Sequence, residues 1–343
     1  MKALLSGKAV DRRTVLSMLG VVGLGLLDMN TGPVLAAETD EDSLAKLLPD
    51  FHDKSRRKLR ALLSEPGFSG QIPASEVGYL VDAEEKSVEA IMLGLLPLAR
   101  TYSRPPISKY LVGAVARGTS GHLYLGANIE FPGHSLGLAV HGEQSALSNA
   151  YMHSDQGVSA IALTAAPCGH CRQFMNELSP EGQIEILRNG EAPVKLSSLL
   201  PMAFGPKDLG ITQGAFPVRE VDLEVPNGGT DELALAARNA ARKSYAPYTK
   251  SPSGVAIGTG AGRVYRGAYI ENVAFNPSLS PLQTALVALI VAGDKFSAMS
   301  RVTLVEVGGA AISQRSVAEA VLAAIAPAIK LEVIAAKAPI ARP

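Results

Sequence analysis

The chain has 343 residues, 47% hydrophobic and 19% charged, enough for two domains with a sizeable buried core. Its 32 basic and 32 acidic side chains cancel, so the basic excess expected of a nucleic-acid or anionic-membrane partner is missing. Two cysteines, Cys168 and Cys171, are too few for a disulfide scaffold.

At the N-terminus, Lys8, Arg12 and Arg13 precede an apolar run from Val15 to Leu27, then Ala36, Ala37 and an acidic stretch. That order predicts an export signal over residues 1–37, with Arg12-Arg13 resembling a twin-arginine signal. The run is too short to span a bilayer, so no membrane insertion is expected of the mature form. Such a signal sends the protein to the periplasm or outside the cell; an amphipathic helix that stays attached would leave it in the cytoplasm.

Residues 38–92 read as a helical N-terminal region. Leu44, Leu47, Leu48, Phe51, Leu59 and Leu62 recur at helical steps and predict a helix over 43–64. A loop with Pro66, Gly67, Gly70 and Pro73 interrupts it, and a second helix is predicted over 75–102. The period then changes. YLVGAVAR from Tyr110 and HLYLGAN from His122 are strand-like, with a turn at 118–121 between them. A helix over 136–153, an apolar strand over 158–164 and a helix over 168–178 follow. The order β-β-α-β-α predicts an α/β sandwich.

The unit occurs twice. Residues 244–290 echo residues 101–151, pairing Tyr102 with Tyr245, Val112 with Val255, Gly126 with Gly267, Glu130 with Glu271 and Gln144 with Gln283. The offset falls from 143 to 141 to 139, as two small deletions would produce. Two copies make a duplication rather than a solenoid. Residues 226–230, PNGGT, read as the linker, with one domain over 93–225 and the other over 230–337.

Three residues of the first copy form a metal-ligand set. His141 offers an imidazole, Cys168 and Cys171 two thiolates, and a tetrahedral Zn²⁺ would keep its fourth position open for chemistry. Zinc lowers the pKa of bound water towards roughly 7. Glu143, two residues from His141, is free to serve as the acid and base. Cys168 and Cys171 are expected in the first turn of one helix and His141 and Glu143 at the start of another, where unpaired N–H groups favour thiolate. His-x-Glu alone is weak, and Cys-x-x-Cys alone suits a redox pair or half of a structural zinc site. Together, with Pro167 before the first cysteine and a strand between, they match the signature of zinc-dependent deaminases. His170, between the cysteines, is read as a supporting residue rather than a ligand.

From about Leu93 onwards the chain resembles the cytidine deaminases of the longer, dimeric type. VHGEQSALSNAY from Val140, APCGHCRQFMNEL from Ala166, AFGPKDL from Ala203 and SPSGVA from Ser251 carry the resemblance. It implies a duplicated three-layer α/β sandwich with a catalytic domain and a degenerate copy. It implies one zinc per chain on His141, Cys168 and Cys171, with Glu143 as proton shuttle. Asn128 and Glu130 correspond to the pair that binds the ribose hydroxyls of a nucleoside, and Tyr110 to an aromatic beside the base, where Phe is usual. Gly142, where Ala is common, and Ala166 would offer backbone groups to the pyrimidine. Phe204 and Phe275 are candidates for aromatics lent to the other subunit of a homodimer.

Aligning Gln144 with Gln283 sets Ser280 against His141 and Leu282 against Glu143, and no cysteine follows Cys171. The second copy is therefore expected to be structural. A polynucleotide-editing enzyme would need a basic, aromatic groove that the neutral charge and 5% aromatic content do not suggest. A non-catalytic zinc or nucleoside-binding protein would not need Glu143.

Overall fold

The computed structural model describes residues 41–179, 183–225 and 231–337. The export signal expected over 1–37 and the linker at 226–230 lie outside them.

The long N-terminal helices of the sequence reading are shorter pieces. α1 (Glu41–Leu47) and α2 (Asp53–Leu63) replace the single helix over 43–64. Pro49 has no amide to continue a helix, and the chain restarts at Asp53, whose carboxylate suits a first turn. The helix over 75–102 is three: α3 (Ala74–Glu84), α4 (Val88–Gly94) and α5 (Leu96–Arg100). Glu85, at φ 54°, turns the chain after α3; Ser87 caps α4 by accepting from the Ala90 amide; Pro97 opens α5.

The first sheet has six strands, in the spatial order β1 (Gln71–Ile72), β3 (Leu123–Ala127), β2 (Gly113–Gly118), β4 (Val158–Leu163), β5 (Glu185–Leu187) and β6 (Val194–Lys195). Its edge strand β1 comes from the N-terminal region. The helix predicted from residue 136 begins later, as α6 (Gly142–Met152), because 136–138 make only a single 3-10 turn. β4 and β5 run parallel, and their crossover carries α7 (Gly169–Leu178). A short α8 (Leu196–Leu199) follows β6.

Two glycines assign the helices to faces. A Cβ on Gly113 would strike Arg100 and the Leu96 carbonyl of α5. A Cβ on Gly126 would lie 2.1 Å from the Ala146 amide nitrogen of α6. Gly126 pairs with Ala114, the neighbour of Gly113, so α5 and α6 cover opposite faces. The three layers expected from the resemblance are thus present.

The second half repeats the plan. Its four strands lie in the order β10 (Leu331–Ala336), β9 (Met299–Val307), β7 (Ser253–Thr259), β8 (Val264–Ala268). α9 (Glu232–Arg242) backs onto Gly254, and α10 (Pro281–Val291) onto Gly267 on the other face. α11 (Arg315–Ile325) crosses between the parallel pair β9 and β10.

The repeat register needs one correction. The pairs Gly113–Ala127 and Gly254–Ala268 correspond, as do the bridges Arg104–Ile129 and Tyr245–Ile270. The offset is therefore 141 throughout this stretch (254 against 113, 245 against 104). Tyr245 stands in the place of Arg104, not Tyr102, and Val255 does not match Val112. Ser103 and Ser244 mark the true register: each hydroxyl donates to the matching carbonyl, of Val112 or Ser253. One two-residue deletion then suffices, between Glu130 and Val140, since Val140 and Leu279 occupy equivalent bridges. The sequence reading followed the larger side chains, whereas backbone pairing follows the small ones.

α6 and α10 pack against each other between the sheets, and one core draws on both halves. α10 is apolar around almost its whole circumference because it is buried all round. Gln144 Nε2 donates to the Pro277 carbonyl (3.0 Å), and Gln283 Nε2 to the Leu138 carbonyl (2.5 Å). Each glutamine also accepts from the backbone amide of its own N-cap residue, His141 or Ser280. No helix among the described residues is long and apolar enough to cross a membrane.

Candidate active site

His141 is the N-cap of α6, Cys168 the N-cap of α7, and Cys171 lies in the first turn of α7. Pro167 favours an extended residue before it and keeps the helix from starting sooner. Two helix N-termini therefore converge, each with unpaired amides that stabilise negative charge. Cys168 Sγ is 3.5 Å and Cys171 Sγ 3.3 Å from His141 Nδ1, and the three donor atoms all lie within 4.8 Å of one another. Typical zinc–nitrogen and zinc–sulfur bonds give a tetrahedral N···S edge of about 3.6 Å. The donor set fits zinc. Cys171 is buried and Cys168 exposed, so the set is walled on one side and open on the other.

Protonation points the same way. Hydrogen bonds from Cys171 and His141 pull the Cys168 thiol down to about 3. Cys171 is pushed up by its hydrogen bond to Cys168, by burial and by the Glu143 charge. Cys168 in turn raises His141. Two thiolates at one point need a cation between them, and its binding would release the Cys171 proton.

Glu143 sits in the first turn of α6 and is 6% exposed. Burial pushes its carboxyl above the usual range, against hydrogen bonds from its own backbone amide and from Cys171. A carboxyl held up in this way can carry a proton nearer neutrality. His170 stacks on His141, with ring centroids 5.1 Å apart, and so buttresses that ring.

Asn128, Glu130, Tyr110 and Gly142 lie on or against a loop at 105–112. The Asn128 amide accepts from the Val112 amide and donates to the Tyr110 carbonyl, both at 3.0 Å. Glu130 accepts from the Ile107 and Ser108 amides (2.8 and 2.9 Å) and from the Ser108 hydroxyl. Both side chains thus shape the loop that presents Tyr110, which is exposed. Gly142 leaves room for Val112, whose Cγ1 would lie 2.8 Å from an added Cβ. Ala166 is exposed, on the segment leading to Cys168. Phe204 and Phe275 are exposed as well; the Phe204 carbonyl accepts from Gln173 of α7.

The motif reading passed over Arg172, which donates to the Pro167 and Leu199 carbonyls and so fixes the approach to Cys168. It also passed over the roles of Gln144 and Gln283, although their recurrence in both copies was a visible signal. In the second copy Ser280 replaces His141 and caps α10 by accepting from Gln283, while Leu282 replaces Glu143 and is fully buried. Among the described residues, His141, Cys168 and Cys171 are the group placed to hold a metal ion.

Comparison with known proteins bears on both halves. A family profile described as "Cytidine and deoxycytidylate deaminase zinc-binding region" matches residues 86–184, and a second profile of that description matches 196–319. A cytidine deaminase of Vibrio atlanticus (strain LGP32) is 38% identical over 307 residues, covering 90% of this chain and 100% of its own. One from Vibrio vulnificus (strain YJ016) is 42% identical over 273 residues, covering 80% of this chain and 92% of its own. A solved cytidine deaminase from Burkholderia pseudomallei is 30% identical, with a TM-score of 0.31, over 34% of this chain and 98% of its own. The family's signature thus extends into the half without the His/Cys/Cys group, and relatives align through both halves: the chain belongs to the cytidine and deoxycytidylate deaminase family, in its longer, two-domain form.

Proposed function

We propose that this protein hydrolyses cytidine and deoxycytidine to uridine and deoxyuridine with release of ammonia. The observation that carries the reading is the buried Glu143 beside a zinc-fitting donor set at two converging helix N-termini. His141, Cys168 and Cys171 would hold the zinc, which would supply an activated water at neutral pH. Glu143 is placed to hold the proton a water gives up as its oxygen bonds to the pyrimidine C4, and to pass it to N3. It then carries protons to the exocyclic amine, which leaves as ammonia as the C4–N bond breaks. Asn128 and Glu130 hold the ribose hydroxyls, Tyr110 stacks near the base, and the backbone at Gly142 and Ala166 fixes the ring edge.

A homodimer completes this reading. Two cavities of about 510 and 680 Å³ are lined by other residues, and one of about 70 Å³ reaches Ala166 and Pro167, while Cys168, Tyr110, Phe204 and Phe275 are exposed. A second copy laid over them supplies the missing wall, with Phe204 and Phe275 as the lent aromatics.

The test is zinc analysis of the purified chain together with loss of cytidine absorbance and ammonia release. One zinc per chain with turnover of cytidine is expected. Bound zinc without turnover of cytidine or deoxycytidine would overturn the substrate assignment. Light scattering should give the mass of two chains. Glu130→Ala should raise KM for cytidine about 10-fold or more, the cost of losing a charge-assisted hydrogen bond, with a smaller change in kcat.

A further inference from the structure

The most unusual buried group outside the active site is Glu177, near the end of α7. Its side chain is fully buried and its partners come from the other half of the chain. Glu177 Oε1 accepts from the Tyr245 and Tyr248 hydroxyls (2.7 and 2.6 Å), and Oε2 from the Val273 amide (2.8 Å). All three donors are neutral, so this carboxylate is held by directional hydrogen bonds. One turn earlier on α7, the Gln173 carbonyl accepts from Asn272 Nδ2 (3.1 Å). The helix that starts with the zinc cysteines is thus fastened at its far end to the copy that has none.

The origin of this fastening is legible in the repeat. Tyr245 occupies the place of Arg104 and Tyr248 that of Ile107, on the segment that in the first half presents Tyr110. Glu271, the counterpart of Glu130, still latches that segment by accepting from the Tyr248 and Thr249 amides (2.7 and 3.2 Å). Glu130 is half-exposed, however, and Glu271 fully buried. The second copy has kept the carboxylate-and-loop latch and turned its side chains inward onto α7.

We propose that Glu177, with Tyr245 and Tyr248, is a positioning residue for the zinc centre. The vestigial substrate loop of the degenerate copy sets the placement of α7, and through it of Cys168 and Cys171. This rests on the zinc-deaminase reading above and assigns the second copy a task in that site. Replacing residues that orient metal ligands without touching the metal costs roughly 10–100-fold in metal affinity or activity.

The test compares full-length wild type, Glu177→Gln, Tyr245→Phe/Tyr248→Phe and, as a control, Tyr265→Phe. The control also removes a tyrosine hydroxyl bonded to a carboxylate of the second half, Asp294, at 2.6 Å, but one that does not touch α7. Three quantities are read on each: the rate of zinc release to a competing chelator, the split between kcat and KM for cytidine, and the thermal midpoint. Zinc release about 10-fold faster and a lower kcat with little change in KM are expected for the α7-directed variants and not for Tyr265→Phe. The double tyrosine variant keeps both rings in place should Glu177→Gln fold poorly. Variants that match Tyr265→Phe in zinc release and kcat, whatever their thermal midpoints, overturn the proposal. A wild type that holds zinc but does not turn over cytidine defeats the substrate reading alone, since zinc release still decides the positioning role. A wild type without zinc defeats both.

Discussion

Glu143→Ala is expected to lower kcat for cytidine by about 10²- to 10⁴-fold while leaving zinc content unchanged, the range that positioned acid–base groups contribute. In free energy that is about 3–5 kcal/mol of barrier. The separation of effects is the informative part. Glu143 lies on the helix that begins with His141, yet the three donors that fit zinc are complete without it. Burial pushes its carboxyl above the usual range. Metal analysis and steady-state kinetics on the same sample check the prediction. Loss of zinc in the variant would mean that Glu143 holds the metal site together and is not chiefly its proton carrier. Glu143→Gln should be nearly as slow as Glu143→Ala, because an amide preserves the shape and cannot shuttle the proton.

Gly126→Ala is expected to disable the protein by a different route. The added methyl would sit 2.1 Å from the Ala146 amide nitrogen and 2.6 Å from its Cα. These are backbone atoms in the middle of α6, so no side-chain rotation relieves the contact. Either β3 or α6 must move. Overpacking of a well-filled core costs about 1–3 kcal/mol, and a clash with backbone belongs at the upper end or beyond. α6 also carries His141 and Glu143 at its start, so a shift reaches the site. A fall of several degrees in thermal midpoint together with reduced activity is the expected outcome. Gly78→Ala is the control: it lies in α3, with nothing within 4 Å of an added Cβ. That change should be neutral or stabilise by about 0.5–1 kcal/mol, through helix propensity. Equal midpoints for the two variants would show that α6 does not approach β3 this closely.

The candidate donor set was legible in the chain because it is written in short range. His-x-Glu and Pro-Cys-x-x-Cys place their donors at helix starts whatever the rest of the fold does, and a three-donor N and S set narrows the metal to zinc. Strands β2, β3 and β4 and helix α7 of the first copy were legible for the same reason, since periodicity and turn residues are local, whereas the short β1, β5 and β6 were not. The helix breaks were less so. Pro49 and Pro97 sat within stretches whose leucine spacing looked continuous, and hydrophobic period alone does not say where a chain turns.

The sequence by itself determined the candidate donor set, the carboxyl beside it, the α/β class, the duplication and the absence of that set from the second copy. Each follows from residue type or from patterns a few residues long. Only the tertiary structure decided the register of the repeat, because that register is held by backbone pairs and by serines such as Ser103 and Ser244 rather than by the conspicuous tyrosines. Only it brought His141 to Cys171, joined Gln144 to Pro277, and closed Tyr245, Tyr248 and Val273 around Glu177. Those partners lie 30, 133, 68, 71 and 96 residues apart. No local propensity encodes such pairings; they arise when two sheets close over a shared layer of helices and buried polar groups must find partners.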